Sequence, residues 1–407
     1  MGHALAGVRV VELARVLAGP WAGQTLADLG AEVIKVERPQ GGDDTRAWGP
    51  PYAKDEAGQT ITDLSAYFLS TNRGKRSLTI DFAQPQGAEL TRQLIDSADV
   101  VIENFKVGGL VRYGLDYATL AARNPKLVYA SITGFGQDGP YASRAGYDFM
   151  IQAMGGLMSV TGAPENAPGG EPMKVGVALA DVMTGLYATI GILAALPVAR
   201  DTGQGKHLDL ALFDVQVATL ANQALNYLVS GKPPGRMGNS HPNIVPYQAF
   251  AAADGHIVIA VGNDGQFAKL CELAGVPELA RDARFATNPA RVANRIDLVG
   301  RLAALIAAKP VGFWLEGLEA AGVPAGPINS IAQSFADVQA QARGLATKVV
   351  RPDGSTLPGV ASPLREAGKS PENVTAPPRL GQDTDAILKD LGLDQTAIDR
   401  LRAAGIV

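Results

Sequence analysis

Residues 8–36, VRVVELARVLAGPWAGQTLADLGAEVIKV, decide how this chain folds. The β-branched runs at 8–13 and 32–36 read as short strands. Between them, 20–29 reads as a helix, with Pro20 near its start and Gly30 just past its end. Strand, helix and strand at this spacing make a parallel βαβ unit. The pattern recurs downstream: a strand at 77–81, a helix at 84–97, a strand at 100–103, a helix at 116–124 and a strand at 127–133. Such alternation predicts an α/β fold, a Rossmann-like parallel sheet with helices on both faces. Ligands of these sheets bind at the carboxyl ends of the strands. The loops at 14–18, 37–48, 104–112 and 134–148 are therefore where function is expected.

Further along, an apolar run at 175–180 leads into Asp181, and no other charge follows before Arg200. The intervening pattern, rich in Ala, Leu, Ile and Gly, reads as a buried core helix rather than a membrane span. Asp181 has two readings. It caps that helix, accepting its free N–H groups, or it is a carboxylate held as a nucleophile, kept ionised by those groups and by the helix dipole. One more strand at 207–212 and a helix at 215–228 close a large domain, 1–228. The segment GKPPGRMGNSHPN that follows has the Pro and Gly content of a linker or functional loop. A smaller α+β domain is expected at 229–326, opening on a hairpin, 248–252 and 256–261, around Asp254-Gly255. Its helices are expected at 264–274, 293–308 and 311–321. Beyond it come a helix at 332–345, a hairpin around a Pro-Asp-Gly turn, and two short helices, the second capped by Asp394.

A chain of 407 residues exceeds one ordinary core. With 46% hydrophobic and 19% charged residues it is globular, and a formal charge of -4 gives no electrostatic case for nucleic acid or an anionic membrane surface. A single cysteine, Cys271, excludes an internal disulfide framework and suits a reducing cytoplasm. Four histidines, none at zinc-ligand spacing, argue against a structural metal. The start lacks the cationic and apolar regions of a signal peptide.

Residues 134–139, GFGQDG, match a dinucleotide fingerprint, but Pro140 and a polar stretch follow where a helix should open, so this is a glycine-rich loop. Arg38 and Arg46 in the loop at 37–48 present paired donors that suit phosphate or carboxylate. Asn104 and Phe105, with Lys106 and Arg112 beyond, occupy the same sheet edge, which suits an extended anionic, nucleotide-bearing ligand. No G-x-S-x-G supports a nucleophilic serine. Of the histidines, His241 is a possible acyl contact.

LAGVRVVELARVLAGPWAGQTLADLGAEVIKVERPQGGDDTR, NRGKRSLTID, VVIENF, ITGFGQDGPYASRAGYD, VGVALADVMTGLYA and the C-terminal GQDTDAILKDLGL stand in this order. Together they resemble the class III CoA-transferases, the CaiB/BaiF family, over nearly the whole chain. The resemblance implies a large domain completed by a C-terminal segment, 327–407, and a homodimer of interlocked, ring-shaped subunits. It places Asp181 on the family's catalytic aspartate, which attacks an acyl-CoA thioester to give a mixed anhydride and then an aspartyl-CoA thioester. It implies CoA contacts at Val16, Leu17, Ala18, Arg38, Ile80, Asn104, Phe105, Lys106, Arg112, Thr133 and Phe135. Arg46, Tyr67, Arg144, Tyr147, Asp148 and His241 are implied on the acid's side, with no metal and no tightly bound cofactor. Leu17 stands where formyl-CoA:oxalate members carry glutamine, and Ala83 where they carry a lysine. GRMGNSHPNIVPYQAF instead is similar to the members that take CoA from succinyl-CoA to a dicarboxylic acid, of the succinate–hydroxymethylglutarate (glutarate) kind. Two rivals remain. The α-methylacyl-CoA racemases share the fold, but their second base is a histidine in A-G-H-D, and here 145–148 reads A-G-Y-D. A tyrosine, with a pKa of about 10, exchanges protons poorly near neutrality. A non-catalytic acyl-CoA-binding protein is the other.

Overall fold

A computed structural model describes residues 4–407 except 56, 352, 366 and 369–374. The chain divides into two compact units, one of Met1–Leu157, Val175–Ala224 and Gln339–Val407, the other of Met158–Lys174 and Leu225–Val338. The first unit carries β1 (Arg9–Glu12), α1 (Ala18–Asp28), β2 (Glu32–Glu37), β3 (Tyr52–Lys54), β4 (Thr60–Ser65), α2 (Ala66–Leu69), β5 (Lys75–Thr79) and α3 (Pro85–Asp96). It continues through β6 (Val100–Glu103), α4 (Tyr117–Arg123), β7 (Val128–Thr133) and α5 (Asp148–Met154). After α6 (Leu157–Val160) come α7 (Leu179–Thr202), β8 (His207–Ala211) and α8 (Leu212–Ala218).

Six strands form one parallel sheet in the order β5-β2-β1-β6-β7-β8. Counted within the sheet this is 3-2-1-4-5-6, a doubly wound order whose direction reverses between β1 and β6. Alternation along each strand splits the core in two. Val10, Val33, Val100 and Val128 pack with Ala22 and Leu26 of α1 and with Ala188 and Ile192 of α7. Val11, Ile34, Val101 and Tyr129 pack instead with Leu90 and Leu94 of α3 and Leu120 of α4. By length and composition α7 could cross a membrane, yet Ala180, Ala188, Ile192 and Leu196 lie in the sheet's core.

From α9 (Asn222–Ser230) the chain runs into the second unit: β9 (Tyr247–Ala252), β10 (Gly255–Ala260), α10 (Asp264–Leu273), α11 (Asn288–Ala293), α12 (Arg295–Ala307), α13 (Val311–Ala321), β11 (Ala325–Pro327) and α14 (Ile331–Ala336). Its antiparallel sheet, β11-β10-β9, contributes Phe250, Ile257 and Ile259 to a core shared with Phe267, Leu302 and Trp314. The chain then returns to the first unit with α15 (Val338–Ala342), β12 (Ala346–Val350), β13 (Thr356–Val360), α16 (Thr384–Asp390) and α17 (Gln395–Ala403).

Several boundaries differ from the sequence reading. The helix expected at 215–228 is two helices, separated around Ala221, whose φ is 49°. That expected at 332–345 breaks at Asp337, which is extended. The second unit takes in 158–174 and reaches Val338, where 229–326 was expected. The β3–β4 hairpin was not anticipated, because 52–65 lacks a two-residue Asn-Gly or Asp-Gly turn.

Candidate active site

The reversal between β1 and β6 leaves a crevice at the carboxyl ends of the strands, and a cavity of about 280 Å³ opens there. All four loops singled out in the sequence reach it. The first supplies Val16, Leu17 and Ala18, the second Asp44, the third Asn104, Phe105 and Lys106, and the fourth Arg144 and Tyr147. Thr133 at the end of β7 and Asp181 in the first turn of α7 complete the wall.

Asp181 is not the cap of α7. The N-cap position is Ala178, which makes no side-chain cap bond, and Asp148 takes that role from another helix. Its Oδ1 accepts the N–H of Ala180 at 2.8 Å and faces that of Asp181 at 3.4 Å. Its Oδ2 accepts from Gln152 Nε2 at 2.8 Å, and Gln152, fully buried, accepts the Val175 N–H. The Asp181 carboxylate itself meets no hydrogen-bond donor and no cation among the described residues. Burial, and behind it the charge of Asp148, push its carboxyl up to about 7. Tyr67 is close enough to feel these charges: burial first, then Asp181 and Asp148, raise its phenol to about 12.

A second cavity of about 210 Å³ adjoins the first through Arg15 and Phe105 and is lined by Arg38, Ile80, Phe82 and Ala83. Arg38 is held by Asp44 at 2.7 Å and by the Gly42 carbonyl at 3.1 Å. The pair of cavities gives room to a long ligand with an apolar end over Ile80 and Phe82. Not every residue expected here arrives. Arg112 is exposed, over the Tyr113 ring, and lines neither cavity. Phe135 lies beneath Arg144, whose guanidinium stacks on Phe135 and Tyr141. Arg46 must be withdrawn as a substrate contact: it is 2% exposed and forked onto Glu37 with two bonds of 2.7 Å. It also stacks over Phe68 at 3.8 Å, so its donors are spent inside the core. His241 belongs to the second unit, in a separate cavity with Arg236 and Arg295.

A model of CoA-transferase family III matches residues 5–384. The chain belongs to CoA-transferase family III. The transferase is 53% identical over 388 residues to a succinate–glutarate CoA-transferase of Agrobacterium fabrum, covering 95% of each chain. It is 42% identical to a succinyl-CoA:glutarate CoA-transferase of Homo sapiens, covering 99% of this chain and 90% of the relative. The crystal structure of a CaiB/BaiF family protein from Brucella suis superposes with a TM-score of 0.83 at 54% identity, covering 96% of this chain and 100% of that one. It is thus an enzyme of the class III transferases, and the racemase and non-catalytic readings give way.

Bonded to the backbone of the first loop, at Ala14 and Val16, is a buried charge cluster that sequence reasoning missed. Lys35 Nζ lies 2.9 Å from Glu12 Oε1 and 2.8 Å from Asp43 Oδ2, and Lys75 Nζ lies 2.8 Å from Glu12 Oε2. All four are buried. Burial alone would raise the Asp43 carboxyl, but Lys35 overrides it and holds it at about 2. Burial lowers Lys75 to about 8. Beneath the third loop, burial pushes Glu103 up to about 7 although it accepts the Phe105 N–H at 2.7 Å. The available signal was an acid or a lysine inside otherwise apolar strands, Glu12 in VVEL and Lys35 in VIKV.

Proposed function

We propose that the enzyme carries CoA from succinyl-CoA to a dicarboxylic acid of four to six carbons by covalent catalysis on Asp181. One observation carries this reading: a carboxylate without hydrogen-bond donors, its carboxyl raised to about 7, in a cavity it shares with three cations, Arg15, Lys106 and Arg144. Such a group, once ionised, is more basic and a better nucleophile than a solvated carboxylate.

An Asp181 oxygen attacks the thioester carbonyl; the C–S bond breaks and CoA leaves as thiolate, giving a mixed anhydride. The thiolate then attacks the aspartyl carbonyl and expels succinate, leaving an aspartyl-CoA thioester. The acceptor carboxylate attacks that carbonyl and expels the thiolate, which takes the acceptor's acyl group from the second anhydride and frees Asp181. No proton is gained or lost overall. The walls limit water, which would hydrolyse either anhydride.

Arg144 and Lys106 line this cavity without an acid partner among the described residues. Arg144, flat against two rings, is suited to fork the acceptor's far carboxylate. The names of the Agrobacterium and human relatives support a dicarboxylate. CoA is substrate here rather than resident cofactor. The reading includes a homodimer, supported by the apolar exposed side chains Tyr187 and Ile190 on α7, and light scattering in solution tests that part. The chemistry is tested by incubating the enzyme with succinyl-CoA, with and without hydroxylamine, and fragmenting the peptide that holds Asp181. A CoA adduct or hydroxamate is expected on Asp181; an unmodified peptide from an enzyme that turns over would refute the covalent route. Transfer only to monocarboxylic acids would refute the acceptor class.

A further inference from the structure

Val16, on the wall of the cavity that holds Asp181, has φ of 74°, and among the described residues it is the only β-branched one with a positive φ. A branched Cβ is crowded in the left-handed region, so this conformation persists only where the surroundings impose it. The surroundings are visible bond by bond. The Ala14 carbonyl accepts from Lys35 Nζ at 2.9 Å. Asn104 holds both sides of Arg15, accepting its N–H at 2.9 Å and donating to its carbonyl at 2.7 Å. The Val16 N–H itself donates to the Asp43 carboxylate at 3.2 Å and 3.3 Å.

Asp43 cannot swing away. Its Oδ1 accepts from the N–H and the hydroxyl of Thr45, and its other oxygen lies against Lys35, which Glu12 holds in turn. Immediately after the strained residue, α1 begins at Ala18, and its N-cap residue Leu17 makes no side-chain cap bond. The opening N–H groups of a helix have no acceptor within it and carry its positive dipole end.

We infer that the Glu12–Lys35–Asp43 cluster is a positioning device for CoA transfer: it forces Val16 into the left-handed conformation and thereby sets the start of α1 beside Asp181. Negative charge builds on the carbonyl oxygen when a thioester or anhydride is attacked, and fixed N–H groups there lower the barrier. Asp43 touches no substrate in this account; it acts through residue 16. The inference rests on the transferase reading above.

A cluster kept only for stability would cost the same whatever stands at position 16, whereas a positioning device becomes superfluous when glycine, free to adopt positive φ, stands there. The test is therefore a cycle of wild type, Asp43→Asn, Val16→Gly and the double variant, each assayed with succinyl-CoA and melted. Asp43→Asn is expected to lower kcat about tenfold or more with Val16 present, but no more than about threefold in the Val16→Gly background, a coupling of the size neighbouring residues show. Equal losses in both backgrounds, with all four proteins folded, overturn the inference. Should Asp43→Asn not fold, Thr45→Val replaces it, removing a bond to Asp43 and leaving the cluster's charges; the same dependence on residue 16 is expected. A wild type without transfer activity refutes the function instead, and the cycle is then read on succinyl-CoA binding by calorimetry.

Discussion

Asp148 and Asp181 divide one helix start between them. The first satisfies backbone N–H groups of α7, so the second keeps its oxygens for the cavity. Replacing Asp148 by Asn removes a repelling charge while keeping an acceptor oxygen. The Asp181 carboxyl should then ionise at lower pH, and the acid limb of the kcat/KM profile, set near 7 in the wild type, should move down by up to about one unit. A profile that stays in place would deny Asp148 this role. Stability gives a second readout. The folded carboxyl is raised to about 7 while the unfolded one titrates near 3.9. Between these values the folded chain holds a proton that the unfolded chain has released, so stability falls as pH rises through that window. Asp181→Asn removes the loss. Its melting point should exceed that of the wild type by a margin that grows from pH 4 to 7 and then levels off, while turnover is abolished. The apolar setting of Asp181 was legible in the sequence. That another aspartate would supply the cap was not, because the cap comes from 33 residues away through a tertiary contact. Arg46 failed for a related reason: its type announces an anion, but its burial decides which one.

Among the elements, the pairing of α1 with α7 fixes the distance between the strained loop and Asp181. A Cβ on Gly185 of α7 would lie 2.6 Å from the Ala18 carbonyl oxygen and 3.0 Å from Trp21 Cβ. Gly185→Ala therefore has to push the two helices apart at the end where both reach the cavity. Overpacking of this kind costs about 1–3 kcal/mol. Melting should show that loss, and kcat/KM should fall by about tenfold, since small misplacements of reacting groups are costly. Wild-type activity in Gly185→Ala would mean the helix spacing is slack. The βαβ spacing revealed these elements, and the rule for strand ends revealed the loops. The partner of α1 was beyond reach, since an Ala- and Gly-rich helix shows no single apolar face in its sequence.

For the molecule as a whole, the last turns of the chain are part of the first unit's core. Ile387, Leu388, Ile398, Leu401 and Ile406 are buried among the strands' residues, and Asp383 and Thr384 accept the N–H groups of Ser77 and Thr79. Burying such a side chain contributes about 1.5–3 kcal/mol, so five of them rival the whole stability of a typical fold, about 5–15 kcal/mol. Deleting residues 382–407 should leave an insoluble chain; a soluble, cooperatively melting truncation would contradict the packing. The family resemblance anticipated this return, whereas composition and periodicity did not, because a sheet's missing cover can come from anywhere along the sequence.

The pinch between Gly134 and Gly146 has a consequence of its own. A Cβ on either would meet the other's Cα within 2.5 Å, so the backbone is drawn together at both feet of the segment that bears Arg144. The start of that segment is tied to the sheet, Gly136 N–H donating to Thr133 Oγ1 of β7 and Gln137 N–H to Asp209 of β8, so the span left to vary is the stretch beyond, which bears Arg144. On the role proposed for Arg144, insertions or swaps in that stretch change which acid is taken, while Asp181 and the loop at Val16 are inherited intact.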